Sequence, residues 1–295
     1  MLDYPSLGAV AAIIREGSFE RAADVLGITP SAVSQRVRAL EERLGAILVV
    51  RGQPCVATDL GRALCAHLDR VQLLEADLAP ALRPRTSAPL TLKIAVNADS
   101  LATWLPQALA AFARESSGTL LDLVLDDEAH TAERLRAGEV VAAVTADPDP
   151  APGCKSVQLG TLWYAACASP DFMKRHFAKG VNRKSVAIAP SLRFDRRDRL
   201  QARWARRAYG ITLKAPTHWA PSTGAFLDLA CAGLAWSMQP KLLARAAIAA
   251  GRLVELPPAR PLGVKLYWNV LRLHAASLGA LTAAVRKTAG EQLGA

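Results

Sequence analysis

Three side chains between residues 29 and 51 carry hydrogen-bonding chemistry at a spacing that gives it direction. Ser31, Gln35 and Arg38 recur every three or four residues. A helix turning about 100° per residue therefore presents a hydroxyl, an amide and a guanidinium on one side. Ser34 lies on the flank and Thr29 precedes the run. Such groups match the donors and acceptors of base edges and phosphates in a major groove. On the same helix Val33, Val37, Leu40 and Leu44 occupy the opposite sector and form an expected core stripe. Arg51 follows, where a hairpin would offer it to a phosphate or a minor groove.

A second set of residues suits a small zwitterion. Asn97, Asp99 and Ser100 follow a strand-like run, with Trp104 one turn later, and Ser222-Thr223 precede another helical stretch. Hydroxyls and free N–H groups at helix starts suit a carboxylate. Asp126-Asp127-Glu128 and Asp195 supply carboxylates that could hold an ammonium or guanidinium. Each also has a plain structural reading: Ser100 and Ser222 as caps, the acidic triplet as a solvated turn, Trp104 as packing. The residues alone leave both open.

The elements that must position the first set are legible. A helix is expected from about Ser6 to Glu16, stopped by Gly17. Ser18 caps a second, Phe19 to Leu26, which ends at Gly27. Thr29-Pro30 opens a third, running to Gly45, with a cap followed by proline at the first helical position. Ala23, Gly27 and Val33 supply a close crossing, a left-handed turn and a plug, the needs of a helix-turn-helix. ILVVRGQPCVATD then reads as a hairpin wing around Gly52-Gln53-Pro54. Thr58 caps a long helix to about Leu78. On it Leu64, Val71 and Leu78, with Leu60, His67 and Leu74, repeat every seven residues as a dimer seam or as packing against the chain's own domain. APALRPRTSAPL (79–90) marks a linker.

Residues 90–295 alternate strands and helices. LTLKIAV, a helix from Ser100 to Arg114, LLDLVL, a short helix around 132–137 and VVAAVTA form a βαβαβ unit with parallel strands. A similar series follows: WYAACAS, SVAIAP as a strand, an arginine-rich helix over 196–207, a strand near His218, a helix from Ser222, and LAWSMQ with a further helix. VKLYWNVLRL and a last helix from about Ser277 close the region.

Composition limits the function. At 51% hydrophobic and 21% charged residues the 295-residue chain can build real cores. The start has no basic leader and no apolar run reaches membrane-spanning length, so a cytoplasmic protein without membrane contact is expected. Five cysteines without C-x-x-C spacing and five scattered histidines argue against a disulfide framework, a metal site or any cofactor. No nucleophile elbow, triad or phosphate loop suggests an enzyme. The net charge of +10 is not a DNA-binding signal. Residues 1–89 hold ten arginines against ten carboxylates, and the excess lies beyond them, densest over 172–215. That basic segment reads as a solvated face or as a contact to bent DNA.

SFERAADVLGITPSAVSQRVRALEERLG, with the wing and long helix after it, closely resembles the N-terminal signature of LysR-type transcriptional regulators. LKIAVNADSLATWLPQAL (92–109) and DDEAHTAERLRAGEVVAAV (126–144) are similar to the basic-amino-acid-responsive subgroup, that of ArgP (IciA) and LysG. The resemblance covers essentially the whole chain. It implies a winged helix-turn-helix over 1–58, a linker and dimerisation helix with its hinge over 59–89, and an effector-binding domain over 90–295. That last domain would be α/β and periplasmic-binding-protein-like. One subdomain would hold 90–162 and 268–295 and the other 163–267, with crossover strands near 163–168 and 263–271. The resemblance further implies promoter DNA, a homodimer or homotetramer and RNA polymerase as partners, and lysine or arginine as effector. Genes of basic-amino-acid export or metabolism would be its targets. It makes Asn97, Asp99, Ser100, Asp127, Glu128 and Asp195 effector ligands. The alternative is a ligand-independent architectural or replication-origin-binding protein.

Overall fold

The computed structural model describes residues 2–76, 90–116, 118–125 and 128–294. The N-terminal unit contains α1 (Tyr4–Glu16), α2 (Phe19–Leu26) and α3 (Pro30–Leu44). The antiparallel hairpin β1 (Val49–Val50) and β2 (Val56–Ala57) follows, then α4 (Asp59–Glu75). Its caps come from the expected residues. Ser18 Oγ accepts from Arg21 N, Thr29 Oγ1 from Ala32 N and Thr58 Oγ1 from Gly61 N, each satisfying an amide that the helix leaves open. Gly27 takes φ 64°, the left-handed turn that lets α2 and α3 cross.

Val33, Val37 and Leu40 are buried, together with Leu7, Val10, Ile13, Ala22 and Ala23. Leu44 departs from the expected stripe and is 38% exposed. The chain turns at Gly45 one residue later, and Leu48 from the wing enters that core instead. On α4 the seven-residue series divides. Leu64 packs on the N-terminal core and His67 stacks on Tyr4, whereas Leu60 and Leu74 are exposed. Leu78 and the expected linker to residue 89 lie outside the described residues.

The second unit begins with β3 (Leu90–Val96), α5 (Ala98–Ala102), α6 (Leu105–Glu115), β4 (Thr119–Leu125), α7 (Glu128–Ala137) and β5 (Ala142–Thr145). β3 pairs in parallel with β4 and β5, as the alternating pattern predicts. The single helix expected over 100–114 is two. Pro106 lacks the N–H that would bond back to residue 102, and Thr103 leaves helical geometry at φ −120°, ψ −92°.

β6 (Cys154–Ala168) is much longer than the strand expected at 163–168. After it come α8 (Pro170–His176), α9 (Arg183–Ile188), β7 (Ser191–Arg193), α10 (Leu200–Tyr209), β8 (Thr217–Trp219), α11 (Thr223–Cys231), β9 (Ser237–Pro240), α12 (Lys241–Ala249), β10 (Val254–Glu255), β11 (Leu262–Leu271) and α13 (Ala276–Gln292). SVAIAP, expected as a strand, is mostly α9. Asn182 and Ser185 form a reciprocal capping box that starts a helix there. The arginine-rich segment is helical only from Leu200; residues 196–199 are a loop.

One seven-stranded sheet runs through the unit in the order β10-β6-β11-β5-β3-β4, with β9 also on β6. β6 and β11 are antiparallel to each other and carry the sheet from one half of the unit to the other. Trp104, Trp204, Trp236 and Trp268 are fully buried in the large core between sheet and helices.

Candidate DNA-reading face and effector cleft

The outer face of α3 is open. Thr29, Ser31, Gln35 and Arg38 are exposed and Ser34 is half-buried. Arg38 is held in advance, its Nε 2.8 Å from Glu42 Oε1 at i,i+4. Both groups are solvated, so the pair adds only a few tenths of a kcal/mol.

The wing is fastened to this helix by a residue that sequence reading did not single out. Glu41 Oε1 accepts from Leu48 N at 2.7 Å and Val49 N at 3.2 Å. One carboxylate thus satisfies two amides at the entry to β1. From the other side Arg62 Nη1 donates to Ala57 O, and Gly61 lies against Leu48 O. At the wing Arg51 is exposed with its guanidinium 4.7 Å over the Phe19 ring. That cation–π contact ties the hairpin to the start of α2.

The second constellation assembles around Asp99. Asn97 Oδ1 accepts from Ser100 N and starts α5, placing Asp99 in its first turn. The Asp99 carboxylate is half-buried and accepts from the Tyr164 hydroxyl at 2.7 Å. Burial pushes its pKa up. The Tyr164 hydrogen bond opposes this, the charge of the Asp198 carboxylate adds to it, and the nearby Thr223 hydroxyl favours the ionised form. Four elements therefore act on one carboxylate: its own α5 from the first half, the loop before α10 and the first residue of α11 from the second, and β6 joining them.

Polar groups around it are incompletely satisfied. Ser100 Oγ is buried without a partner, as are Thr223 Oγ1 and Gln201 Oε1. Gln201 Nε2 donates to Asp198 Oδ2 at 3.0 Å and to Leu192 O at 2.8 Å, which directs its free oxygen away from both. Buried polar atoms without partners cost on the order of 1–3 kcal/mol each, and a bound polar molecule would offset that cost.

The expected ligands thus separate. Asn97, Asp99, Ser100 and Thr223 share one locality. Ser222 is exposed and caps α11 through Ala225 N. Trp104 is 1% exposed, packed in the core between α5 and α6 rather than along a cleft wall. Asp195 Oδ1 accepts from Arg197 N and Asp198 N, so its carboxylate shapes the loop. The carboxylate whose charge acts on Asp99 is Asp198, three residues on, with Phe194 N, Leu200 N and Gln201 as its donors. Asp126 and Asp127 lie outside the described residues, as does the side chain of Glu128. Tyr164, Asp198 and Gln201 were missed. A tyrosine in an expected crossover strand was a usable signal; nothing in DRRD distinguished its second aspartate from its first.

On α10 Trp204 is buried, while Arg203, Arg206 and Arg207 are exposed. Arg196 and Arg193 lie 5.0 and 5.9 Å over the half-exposed Trp219 ring. Among the described residues no group of three or more His, Cys, Asp or Glu could hold a metal, and no helix is long and apolar enough to cross a membrane.

Comparison with known proteins agrees with this architecture. Residues 6–62 match the bacterial regulatory helix-turn-helix protein, lysR family, and residues 86–293 match the LysR substrate binding domain. The chain is 42% identical to the HTH-type transcriptional regulator ArgP of Pseudomonas fluorescens over 99% of both chains. The crystal structure of ArgP from Mycobacterium tuberculosis superposes with a TM-score of 0.82 at 38% identity, covering 100% of this chain and 99% of that one. Full-length LysG from Corynebacterium glutamicum with bound effector Arg gives 0.73 at 37% identity over 100% of both. This chain belongs to the LysR family of helix-turn-helix transcriptional regulators, within the group formed by ArgP and LysG.

Proposed function

We propose that the chain reads promoter DNA through α3 and its wing, and that lysine or arginine bound around Asp99 controls its activity. The observation that carries the effector half is the Asp99 carboxylate of α5, hydrogen-bonded at 2.7 Å to Tyr164 of β6 and under the repulsive charge of Asp198 in the loop before α10. Like charges brought together in a buried place repel. A cationic amino acid offsets that repulsion, and Ser100 Oγ and Gln201 Oε1 stand ready as hydrogen-bond partners. The relative LysG was solved with arginine as its effector.

In this reading residues 1–58 form the DNA-binding domain, 59–89 the dimerisation helix and hinge, and 90–295 the effector domain. Its two subdomains are 90–162 with 268–295, and 163–267. Exposed Leu60 and Leu74 on α4 fit a seam between two copies, each reading one half-site; pairs of dimers make a tetramer. A ligand touching both halves shifts their relative position by its difference in affinity for the two arrangements, and so alters engagement of RNA polymerase. The protein works in the cytoplasm as a regulator rather than an enzyme, on genes that export or metabolise basic amino acids.

The test is a footprint and transcription assay on the DNA upstream of the neighbouring divergent gene, with and without each amino acid. Lysine or arginine should change affinity, footprint length or transcript level. Binding that is sequence-tolerant and indifferent to both would overturn the sensor reading in favour of an architectural protein.

A further inference from the structure

The linker helix α4 does more than join two units. Its last turns belong to the second unit: Leu73 is buried in the large core, and Gly138, at the end of α7, lies directly on α4. A Cβ on Gly138 would stand 2.6 Å from Ala66 Cβ and 2.9 Å from Arg70 Nη2, and its φ of 72° also demands glycine. Close approach at this point brings α4 and α7 together around a cavity of about 240 Å³.

Three arginines and one carboxylate line that cavity: Asp59, which Arg62 neutralises, Arg62 and Arg70 from one face of α4, and Arg136 from the last turn of α7. The arginines are not equivalent. Arg62 is committed, bonded to Ala57 O and Asp59 and 3.9 Å from Glu139, which Arg134 also holds. Among the described residues neither Arg70 nor Arg136 has a carboxylate within ion-pair distance. Arg70 Nε is moreover buried with no hydrogen-bond partner. A buried guanidinium N–H normally finds an acceptor, because leaving it bare forfeits its hydration. Convergent, uncommitted arginines around a water-sized or larger space are the chemistry that recognises an oxyanion with several acceptors.

We propose that this cavity binds a small tetrahedral oxyanion of the phosphate class, free or as a phosphomonoester, between the DNA-binding and effector units. The bound anion accepts from Arg70 and Arg136 and thereby ties the end of α7 to α4. Because α4 also carries the wing through Gly61 and Arg62, the anion stiffens the path from effector domain to reading helix. This site is separate from the Asp99 locality and does not depend on a cationic effector.

The experiment is titration of the full-length chain with inorganic phosphate, followed by calorimetry and by ³¹P line width, in chloride buffer at constant ionic strength. Parallel titrations use sulfate and glycerol phosphate. One saturable site per protomer is expected. Preference for glycerol phosphate assigns the natural ligand to the esters, and equal binding assigns it to the free ion. Arg70→Met and Arg136→Met should each weaken binding by about tenfold or more, as loss of one charge-assisted contact does, while Arg203→Met on α10 leaves it unchanged. Arg136 is exposed, so its variant keeps the test valid if Arg70→Met fails to fold. Absence of saturable binding would overturn the proposal, as would unchanged binding in Arg136→Met. Displacement of phosphate by duplex DNA would also overturn it, since the arginines would then belong to the DNA interface.

Discussion

The phenol of Tyr164 donates a 2.7 Å hydrogen bond to Oδ2 of Asp99, joining the crossover strand β6 to the helix that follows β3. Asp99 is held among groups that pull its proton affinity in opposite directions: burial and Asp198 raise its pKa, while Tyr164 and Thr223 lower it, with a net rise. A raised carboxylate pKa means that the fold holds the Asp99 proton more tightly than the unfolded chain does. That contribution to stability is present at low pH and is lost as pH rises through the raised value.

The first prediction follows from that sign. A cationic effector binds the ionised form, so its affinity should fall as pH is lowered through the raised pKa of Asp99. The fall should begin above the ordinary carboxylate range. Tyr164→Phe removes a donor to the ionised form and should move the loss to higher pH. Calorimetric titration of lysine or arginine across the pH range checks both; an affinity independent of pH would separate Asp99 from the effector.

Asp99→Asn should abolish the response to lysine or arginine and leave basal DNA binding intact. Removing a charge partner from a hydrogen-bonded ligand costs about 1.5–3 kcal/mol, a ten- to hundredfold loss in ligand affinity. Asp195→Asn should leave ligand affinity nearly unchanged, because that side chain faces its own loop. A larger ligand effect from Asp195→Asn than from Asp99→Asn would reverse the assignment.

Arg38→Ala should weaken operator binding by about 1–3 kcal/mol if Arg38 reads a base. Its only described partner is the solvated Glu42, so folding stability should barely change. Competition between operator and random DNA decides the role: an equal loss on both makes Arg38 a phosphate contact.

Glu41→Ala should lower the thermal stability of the N-terminal unit and loosen the wing. The change strips acceptors from Leu48 N and Val49 N, a loss of about 2–3 kcal/mol for charge-assisted bonds in a part-buried place. Gly61→Ala should act in the same direction, since a Cβ there would lie 2.2 Å from Leu48 O. Thermal unfolding with hydrogen exchange at residues 48–57 measures both.

The N-terminal unit was legible because its rules are local. Caps at Ser18, Thr29 and Thr58, turns at Gly17, Gly27 and Gly45, and the 3.6-residue period of Val33, Val37 and Leu40 each act within a few residues. The outward face of Ser31, Gln35 and Arg38 follows from the inward one. The first βαβαβ unit was legible for the same reason. Local signals also misled. SVAIAP has strand composition but sits behind a capping box, and the stretch after Ser100 has helical composition but contains Pro106.

What the sequence determined alone is therefore the set of elements and the faces that periodicity assigns to them. Tertiary structure decided which carboxylate acts on Asp99, because Asp195 and Asp198 differ only in which way a six-residue loop, 194–199, turns them. It decided that Trp104 belongs to the core, that Leu48 replaces Leu44 beneath the reading helix, and that Tyr164 reaches across to α5. It also placed Arg70 and Arg136, 66 positions apart in the chain, around one cavity. Such pairings depend on where long β6 and β11 carry the chain, and a local pattern contains no information about what lies opposite.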